Sequence, residues 1–384
     1  MITRITAHKT LAIAVGLAVC LSGCSTAGYY WQSVSGHVAM MRSARPVGDW
    51  LGDSSTPDTL KARLALSQRI RDFASSELKL PDNPSYRRYA DLRRSAVVWN
   101  VVAAPEFSLT LNTWCFPVAG CVGYRGYFSE ADARLEADSL KAQGLEVSVY
   151  GVPAYSTLGW LNWAGGDPLL NTFVGYTEGE LARLIFHELA HQVVYAGGDT
   201  PFNESFATAV ERIGGRRWLQ TQAGEQARQD YAEFDQRRQA FRALALGTRR
   251  ALAAVYPADR ATAEAQASTT AAAASPPPAD PAALRAAKQA VMLQFAQQYA
   301  ALKASWGGYP GYDPWAARAN NASFGAQAAY DEWVPHFEAL FEREGRDWPR
   351  FYDAVRQLAA QPKSERQKAL KMTLQVMPQA GGQQ

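Results

Sequence analysis

The chain has little cysteine, little histidine and little surplus charge. Its 384 residues include 4 Cys and 5 His, and its formal net charge is +3. Lys and Arg are scattered among Asp and Glu without forming a basic block, so the sequence lacks the charge pattern of a nucleic-acid-binding surface. With 47% hydrophobic and 20% charged residues, the chain can bury a core, and a globular protein is expected.

The N-terminal segment has the features of a secretory signal. Basic residues within 4–9 precede a short apolar run over 11–21, which is too short to span a bilayer comfortably. The run ends in Leu-Ser-Gly-Cys at 21–24, which resembles the lipobox of bacterial lipoproteins, and Ser25 resembles the pattern that is sent to the outer membrane. We therefore expect a chain anchored by lipid on Cys24 in the cell envelope, at the outer membrane facing the periplasm. The alternative is an ordinary signal that happens to contain a cysteine.

The remaining cysteines point to a disulfide. Cys20 leaves with the signal and Cys24 carries lipid, so Cys115 and Cys121 are the cysteines of the folded body. The periplasm is oxidising, and two cysteines that enclose five residues can close a small loop. A zinc site would need further ligands, and no histidine lies nearby in sequence. We expect a structural disulfide at this place.

The middle of the chain changes from helical to β periodicity. Runs of β-branched and aromatic residues separated by Pro and Gly predict strands at 96–102, 107–111 and 122–128. A helix over 129–143 and a strand over 145–152 follow. This order predicts an α+β fold in which a small sheet comes just before the segment that carries the chemistry.

Helices are predicted on both sides of this region. A helical segment over 29–80 precedes the sheet, and two helical stretches over 226–255 and 282–305 are expected to pack as an antiparallel pair. An Ala, Ser, Thr and Pro tract at 261–283 separates them and is predicted to be a mobile insertion. The predicted organisation is a signal at 1–23, a catalytic domain at 24–220 and a helix-rich C-terminal region at 221–384.

One helix carries a metal-binding pattern. Thr177 and Glu180 form a capping box that opens it, and His187-Glu188-Leu189-Ala190-His191 lies within it. Two imidazoles four residues apart lie on one helix face, so both can bind one metal ion. Glu188 can then reach the attacking water without being a ligand. Two surface histidines are the alternative, but unpaired His and Glu would be costly in so apolar a helix.

A catalytic zinc site needs a third protein ligand. The helix is predicted to run to about Tyr195 and to stop at Gly197-Gly198, after which Asp199 or its neighbour caps a second helix. Chain reversal would bring Glu204 against the two imidazoles. Glu211, seven residues further on, is either a rival ligand or a partner that holds one of the imidazoles. A solvated carboxylate is the alternative for Glu204.

These residues carry a family resemblance. The motif at 187–191 followed by Asn203-Glu204 resembles the gluzincin zinc peptidases, and segments 114–121, 124–128, 152–160 and 186–192 are similar to a bacterial family described as putative aminopeptidases. The resemblance implies a zincin-like α+β fold with the sheet packed on the motif helix. It implies one Zn²⁺ per chain, bound by His187, His191 and Glu204, with Glu188 as general base. The chain lacks the Gly-x-Met-Glu-Asn segment with which gluzincin aminopeptidases grip the substrate amine.

The expected activity is that of a zinc peptidase acting on a peptide substrate, with aminopeptidase action favoured. A zinc endopeptidase and a cell-wall amidase are the alternatives, and a non-catalytic binding lipoprotein is disfavoured because Glu188 is present. Tyr155, Tyr312 and Tyr330 are candidate donors to the oxyanion, and each is otherwise a packing aromatic. Glu106 is the candidate carboxylate for the substrate amine, or else a solvated strand-edge residue. The sequence does not indicate an oligomeric state.

Overall fold

The computed structural model of the protein describes residues 28–116, 120–154, 156–157, 159, 162–257, 259, 280–327 and 333–375. The predicted signal, Cys24, Tyr155, Tyr330 and most of the predicted insertion lie outside these residues. Within the described part of the chain, no helix combines the length and the apolar character that a membrane span requires.

The N-terminal part consists of helices beside a small sheet. Helix α3 covers part of the helical segment predicted over 29–80, and it buries Leu64, Ile70 and Phe73 in the main core. Strand β2 pairs with β1 in the antiparallel sense and with β8 in the parallel sense. The bounds are α1 at 28–43, β1 at Arg45–Pro46, α2 at Val47–Gly52, α3 at Asp58–Ser76, β2 at Arg88–Ala90 and β8 at Leu169–Leu170.

A second sheet has β3 at its centre. Strand β3 (Val98–Pro105) is buried along its length apart from Pro105, and β6 (Arg125–Tyr127) and β7 (Leu145–Val152) flank it in the antiparallel sense. Helix α4 (Glu130–Ala142) covers one face, because Leu145, Val147 and Val149 of β7 pack in one cluster with Ala133, Ala137 and Leu140. The predicted strand at 145–152 is confirmed, and so is the predicted helix before it, whose N-cap is Ser129.

The prediction of a strand at 107–111 is wrong. The Leu109 N–H donates to Oδ2 of Asp259 at 2.7 Å, and the Ser108 N–H donates to the Pro105 carbonyl at 3.3 Å. These backbone donors are therefore taken by a distant side chain and by a turn, so no ladder with a neighbouring strand forms. The strand predicted at 122–128 is divided, since residues 123–124 separate β5 from β6.

The predicted disulfide is confirmed. Strands β4 (Trp114–Phe116) and β5 (Gly120–Val122) form an antiparallel hairpin in which Cys115 lies opposite Cys121, and the two sulfur atoms are bonded. The bridge therefore joins two strands that already pair. It closes the hairpin, which supports the structural role expected of it.

The two motif helices follow one another closely. Helix α5 (Glu178–Ala190) ends five residues earlier than predicted, because the Gln192 and Val193 N–H groups donate to carbonyls three residues back, at 3.1 and 2.9 Å. Such bonds tighten the last turn and stop the helix. Helix α6 (Thr200–Thr221) follows, and Asp199 is its N-cap residue. The Asp199 side chain does not cap it, contrary to expectation, because Arg366 engages that carboxylate.

The C-terminal helices complete the core around α6. Helices α7 and α8 pack together as predicted, with Phe241 and Tyr299 in edge-to-face contact at 5.8 Å. The ring of Phe206 on α6 contacts Phe337 at 5.8 Å and Phe351 at 5.9 Å. The main core therefore draws residues from both sides of the predicted domain boundary, which stays a prediction. The bounds are α7 at Glu225–Val255, α8 at Pro281–Ser305, α9 at Asp313–Ala316, α10 at Asn321–Ala326, α11 at Val334–Arg343, α12 at Trp348–Ala359 and α13 at Lys363–Gln375.

A buried ion pair joins the last helix to the start of α6. Arg366 of α13 donates to Asp199 at 2.6 Å, and their side chains are 7% and 2% exposed. We expect Arg366→Met to lower the free energy of unfolding by about 3 kcal/mol, because the buried Asp199 carboxylate then keeps only the exposed Lys363, at 3.8 Å, as a cation. Urea unfolding of the soluble chain that starts after Cys24 measures the change. Lys368→Met is the control, because Lys368 lies on the same helix with its side chain 71% exposed, and equal stability of the two variants would contradict the assignment.

Candidate metal centre

Helix α5 presents three polar side chains on one face. Arg183, His187 and His191 are spaced by four residues and so lie one above another. The other side of the helix is fixed in the main core, where Leu181, Ile185, Phe186 and Leu189 are fully buried. Because the apolar side is fixed, the polar face is held against α6.

The two imidazoles converge with Glu204. The Nε2 atoms of His187 and His191 are 3.1 Å apart, and Oε2 of Glu204 lies 3.4 Å and 3.8 Å from them. The ligand atoms of these three residues all lie within 4.8 Å of one another, which makes them a group that could hold a metal ion. Glu204 was expected here from the chain reversal after α5, and the structure brings it to this position.

The donor set fits a bound cation. Two nitrogens and one carboxylate oxygen are ligands that zinc accepts, and three protein ligands leave a coordination position open. Burial lowers the pKa of His191 to about 4, so this imidazole is neutral and its lone pair is available. Its Nδ1 atom is buried and has no hydrogen-bond partner among the residues that the structure describes. The two Nε2 atoms, 3.1 Å apart, can share a proton or bind one cation together.

Glu211 holds His187 in place. Its Oε2 lies 3.0 Å from Nδ1 of His187, the ring nitrogen that does not face Glu204. Arg183 pairs with the other oxygen of Glu211 and also donates to the Tyr231 hydroxyl at 2.7 Å. Burial opposes the charge of Glu211, but Arg183 and His187 together lower its pKa to about 2. Of the two predicted roles for Glu211, the geometry favours the partner that orients an imidazole.

Glycine in α6 makes room for this arrangement. A Cβ atom on Gly215 would lie 2.7 Å from Cγ of Arg183, closer than a real contact allows. Glycine inside a helix costs roughly 1 kcal/mol relative to alanine. The lost helix stability is offset by the close approach of α5 and α6, which lets Arg183 reach Glu211.

Glu188 lies beside the candidate ligands in a partly buried position. Burial and the charges of Glu204 and Asp167, opposed by that of His187, raise its pKa to about 7. A carboxyl group with such a pKa exchanges protons near neutral pH, which is the property that a general base requires. Asp167 is itself 1% exposed, and burial raises its pKa.

Polar residues fix the loops next to the end of α5. The side chain of Gln192 accepts at Oε1 from Asn83 Nδ2 at 2.8 Å and donates from Nε2 to Ser85 Oγ at 3.2 Å. Ser85 in turn donates to Asn162 at 3.0 Å and accepts from the Asp167 N–H at 3.2 Å. These bonds hold two loops against the helix end that carries His191.

Three tyrosines that were not predicted lie within the electrostatic influence of Glu204. Burial raises the pKa of Tyr124, Tyr150 and Tyr195, and the charge of Glu204 raises each further. Their hydroxyls therefore stay protonated and can donate hydrogen bonds near the candidate metal. Tyr124 belongs to one of the segments that carry the family resemblance, whereas Tyr150 reaches the site from the sheet and has no sequence signal.

The other predicted site residues have different positions. Glu106 lies in the turn after β3, where it accepts from Arg285 at 2.7 Å, and no described contact joins it to the three candidate ligands. Tyr312 stacks on Phe241 with ring centroids 4.1 Å apart, which is the packing role foreseen as its alternative. Tyr155 and Tyr330 lie outside the described residues.

Comparison with known proteins identifies the family. The family model described as "Putative aminopeptidase" matches residues 28–370, which is most of the chain. The chain belongs to this family. The match includes both motif helices and the C-terminal helices that pack on them. No curated protein and no solved structure matches the chain.

We expect the soluble chain to bind about one divalent metal ion through the three converging residues. Mass spectrometry after native purification should find that His191→Ala and Glu204→Gln have lost the ion. Glu211→Gln should keep the site but bind the metal 10- to 100-fold more weakly, because it orients a ligand without being one. Full metal content in Glu204→Gln, with loss in Glu211→Gln, would assign the third ligand to Glu211.

Metal binding should depend on pH through His187. Burial opposes its charge, but Glu204 and Glu211 raise its pKa well above the usual range, so the metal-free site holds a proton there at neutral pH. Binding must displace that proton, and the apparent affinity should rise roughly tenfold per pH unit between pH 6 and 8. Titration calorimetry in buffers of different ionisation enthalpy counts the protons released. An affinity that is constant over this range would contradict a protonated His187.

Proposed function

We propose that the chain is a zinc-dependent aminopeptidase with a zincin-like fold, anchored in the bacterial outer membrane by lipid on Cys24. One observation carries the catalytic part of the proposal. Two imidazole nitrogens 3.1 Å apart converge with Glu204, and the partly buried carboxyl group of Glu188 lies next to them. The family description supports peptide hydrolysis, and Leu21-Ser22-Gly23-Cys24 supports the anchor.

The residues divide the chemistry among themselves. His187, His191 and Glu204 would hold the zinc, which would supply a Lewis acid that polarises the scissile carbonyl and makes water more acidic. Glu188 takes a proton from the attacking water and passes it to the leaving amine.

Tyr124 and Tyr150 are the proposed donors to the oxyanion. Burial and the Glu204 charge keep both hydroxyls protonated. A hydroxyl that stays protonated can donate to the oxygen on which negative charge develops. Tyr150 extends from the face of β7 opposite α4, since its neighbours Val147 and Val149 pack on α4.

The open edge of β7 favours an extended peptide as substrate. The Val147 carbonyl accepts from Asn320 at 2.9 Å, and the carbonyl of Ala103, opposite it on β3, accepts from the Asn112 N–H at 2.8 Å. Ala103 and Val147 are therefore a pair without hydrogen bonds between their backbones. Such pairs recur at every second residue of an antiparallel strand, so the N–H and C=O groups of Val149 and Gly151 also point away from β3, towards the outer edge of β7. Both line a cavity of about 430 Å³ together with Tyr150. The lining of this cavity contains none of the three candidate ligands, so the case for an extended peptide rests on the free backbone groups of β7.

The free backbone groups at the edge of β7 make an endopeptidase the second candidate. An endopeptidase binds extended backbone on both sides of the cleaved bond, whereas an aminopeptidase must also hold a protonated amine. Glu106, the predicted partner of that amine, is paired with Arg285. The two activities therefore differ in one observable, which is the dependence of cleavage on the free amine.

A short peptide and its N-acetylated twin distinguish the two activities. We expect the soluble, zinc-loaded chain to cleave only the free peptide, one residue at a time from the N-terminus, as followed by mass spectrometry. Glu188→Gln should keep its metal and lower kcat by about 10²- to 10⁴-fold, because only the proton transfers are lost. It is the matched control for a contaminating peptidase. Equal internal cleavage of both peptides would establish endopeptidase action and leave the zinc mechanism in place.

A further inference from the structure

Helix α1 (28–43) is fixed to the body of the protein by one face. The side-chain Oε1 of Gln32 accepts from the Phe128 N–H at 3.0 Å, and Met40 is 2% exposed. A Cβ atom on Gly36 would lie 2.3 Å from Cγ of Phe128, so the helix backbone lies directly on that ring. Tyr29 packs on Tyr127 with ring centroids 5.5 Å apart. The orientation of the helix is therefore set by these contacts.

The opposite face of α1 is exposed and apolar. Trp31, Val34 and Val38 are 73%, 58% and 37% exposed, and their spacing of three and four residues places them in one stripe. Tyr30 lies beside the stripe and is 41% exposed. Single exposed apolar residues are common on protein surfaces, but a continuous stripe on one helix indicates a surface that is covered by something.

The charge around the stripe suits an anionic surface. Between Cys24 and Asp49 the chain has no acidic residue. Its cations there are Arg42 and Arg45, and Arg42 continues the exposed face of α1. Phospholipid headgroups in bacterial membranes include anionic ones, which attract arginine and repel carboxylates.

The anchor brings this helix to the membrane. Cys24, the proposed lipid attachment site, lies four residues before Gly28, the first described residue of α1. Four fully extended residues span at most about 14 Å. The acyl chains on Cys24 lie in the bilayer, so the start of α1 must lie within that distance of the anchored residue.

We propose that the exposed face of α1 lies in the headgroup region of the bilayer that holds the lipid anchor. The inference rests on the proposed lipidation of Cys24 and does not require the proposed catalysis. Tryptophan and tyrosine favour the membrane interface, because their rings are apolar and carry a polar group. An amphipathic helix in the interface buries its apolar face about 5–10 Å deep. With α1 fixed on the sheet, contact of this face orients the whole catalytic body relative to the membrane.

A single thiol label tests the proposal in the lipidated protein. Cys115 and Cys121 are joined and lipid blocks Cys24, so an introduced cysteine is the free thiol of the mature chain. Val34→Cys carries a nitroxide on the stripe, and Leu293→Cys, at a position 61% exposed on α8, is the matched control. Both proteins are reconstituted in vesicles of phosphatidylethanolamine and phosphatidylglycerol. Collisions with oxygen and with an aqueous nickel complex are then measured by electron spin resonance.

We expect the label at position 34 to lose roughly fivefold or more of its collisions with the nickel complex relative to position 293, while its collisions with oxygen increase. Equal exposure to the nickel complex at both positions would overturn the proposal. Protection of position 34 in the lipid-free soluble chain that grows with protein concentration would assign the stripe to a second copy and would also overturn it. A mature chain without lipid on Cys24, as read by mass spectrometry, would do the same.

Metal content and peptide cleavage are measured on the same samples. A protected label in a protein that neither binds zinc nor cleaves peptides would support the membrane contact and reject the proposed function. An active enzyme with an exposed label would support the proposed function and reject the membrane contact.

Discussion

Two imidazole nitrogens 3.1 Å apart in a protein interior need either a proton shared between them or a cation bound by both. The carboxyl groups of Glu188, Glu204 and Glu211 lie in the same region, and the guanidinium groups of Arg183 and Arg238 pair with Glu211. Burying such a cluster without compensation is very unfavourable. A divalent cation, or protons taken up in its place, therefore balances the interior charge. The other features of the site are arranged around this requirement.

The helices meet the requirement by geometry. Arg183, His187 and His191 are four residues apart, so the two candidate ligands and the arginine that supports them lie on one helix face. Gly215 lets α6 approach that face closely. The chain from Arg183 through Glu211 to His187 then fixes the ring on which the metal would bind. Because the ring is held before any ion arrives, metal binding needs little rearrangement.

Local pattern was enough to predict part of this site. The positions of His187, Glu188 and His191 follow from helix periodicity, and Glu204 follows from a glycine stop and a short reversal. Tyr150 reaches the site through strand pairing, and Glu106 meets Arg285, which is 179 residues away in sequence. Contacts over such separations depend on the whole fold, so residue spacing does not reveal them. For the same reason the run at 107–111 was predicted as a strand, although its partner proved to be the side chain of Asp259.

Helix α6 contributes both to the candidate metal centre and to the aromatic core formed with later helices. One face carries Glu204 towards the two imidazoles, and the other buries Phe206 against Phe337 and Phe351 of later helices. A fragment that ended near residue 220 would expose this aromatic surface to water. Glu204 would then lie on a helix that had lost the packing on its other face. The motif helices therefore depend on the C-terminal helices for their packing. We expect a shortened or rearranged chain to keep the site only if it retains both.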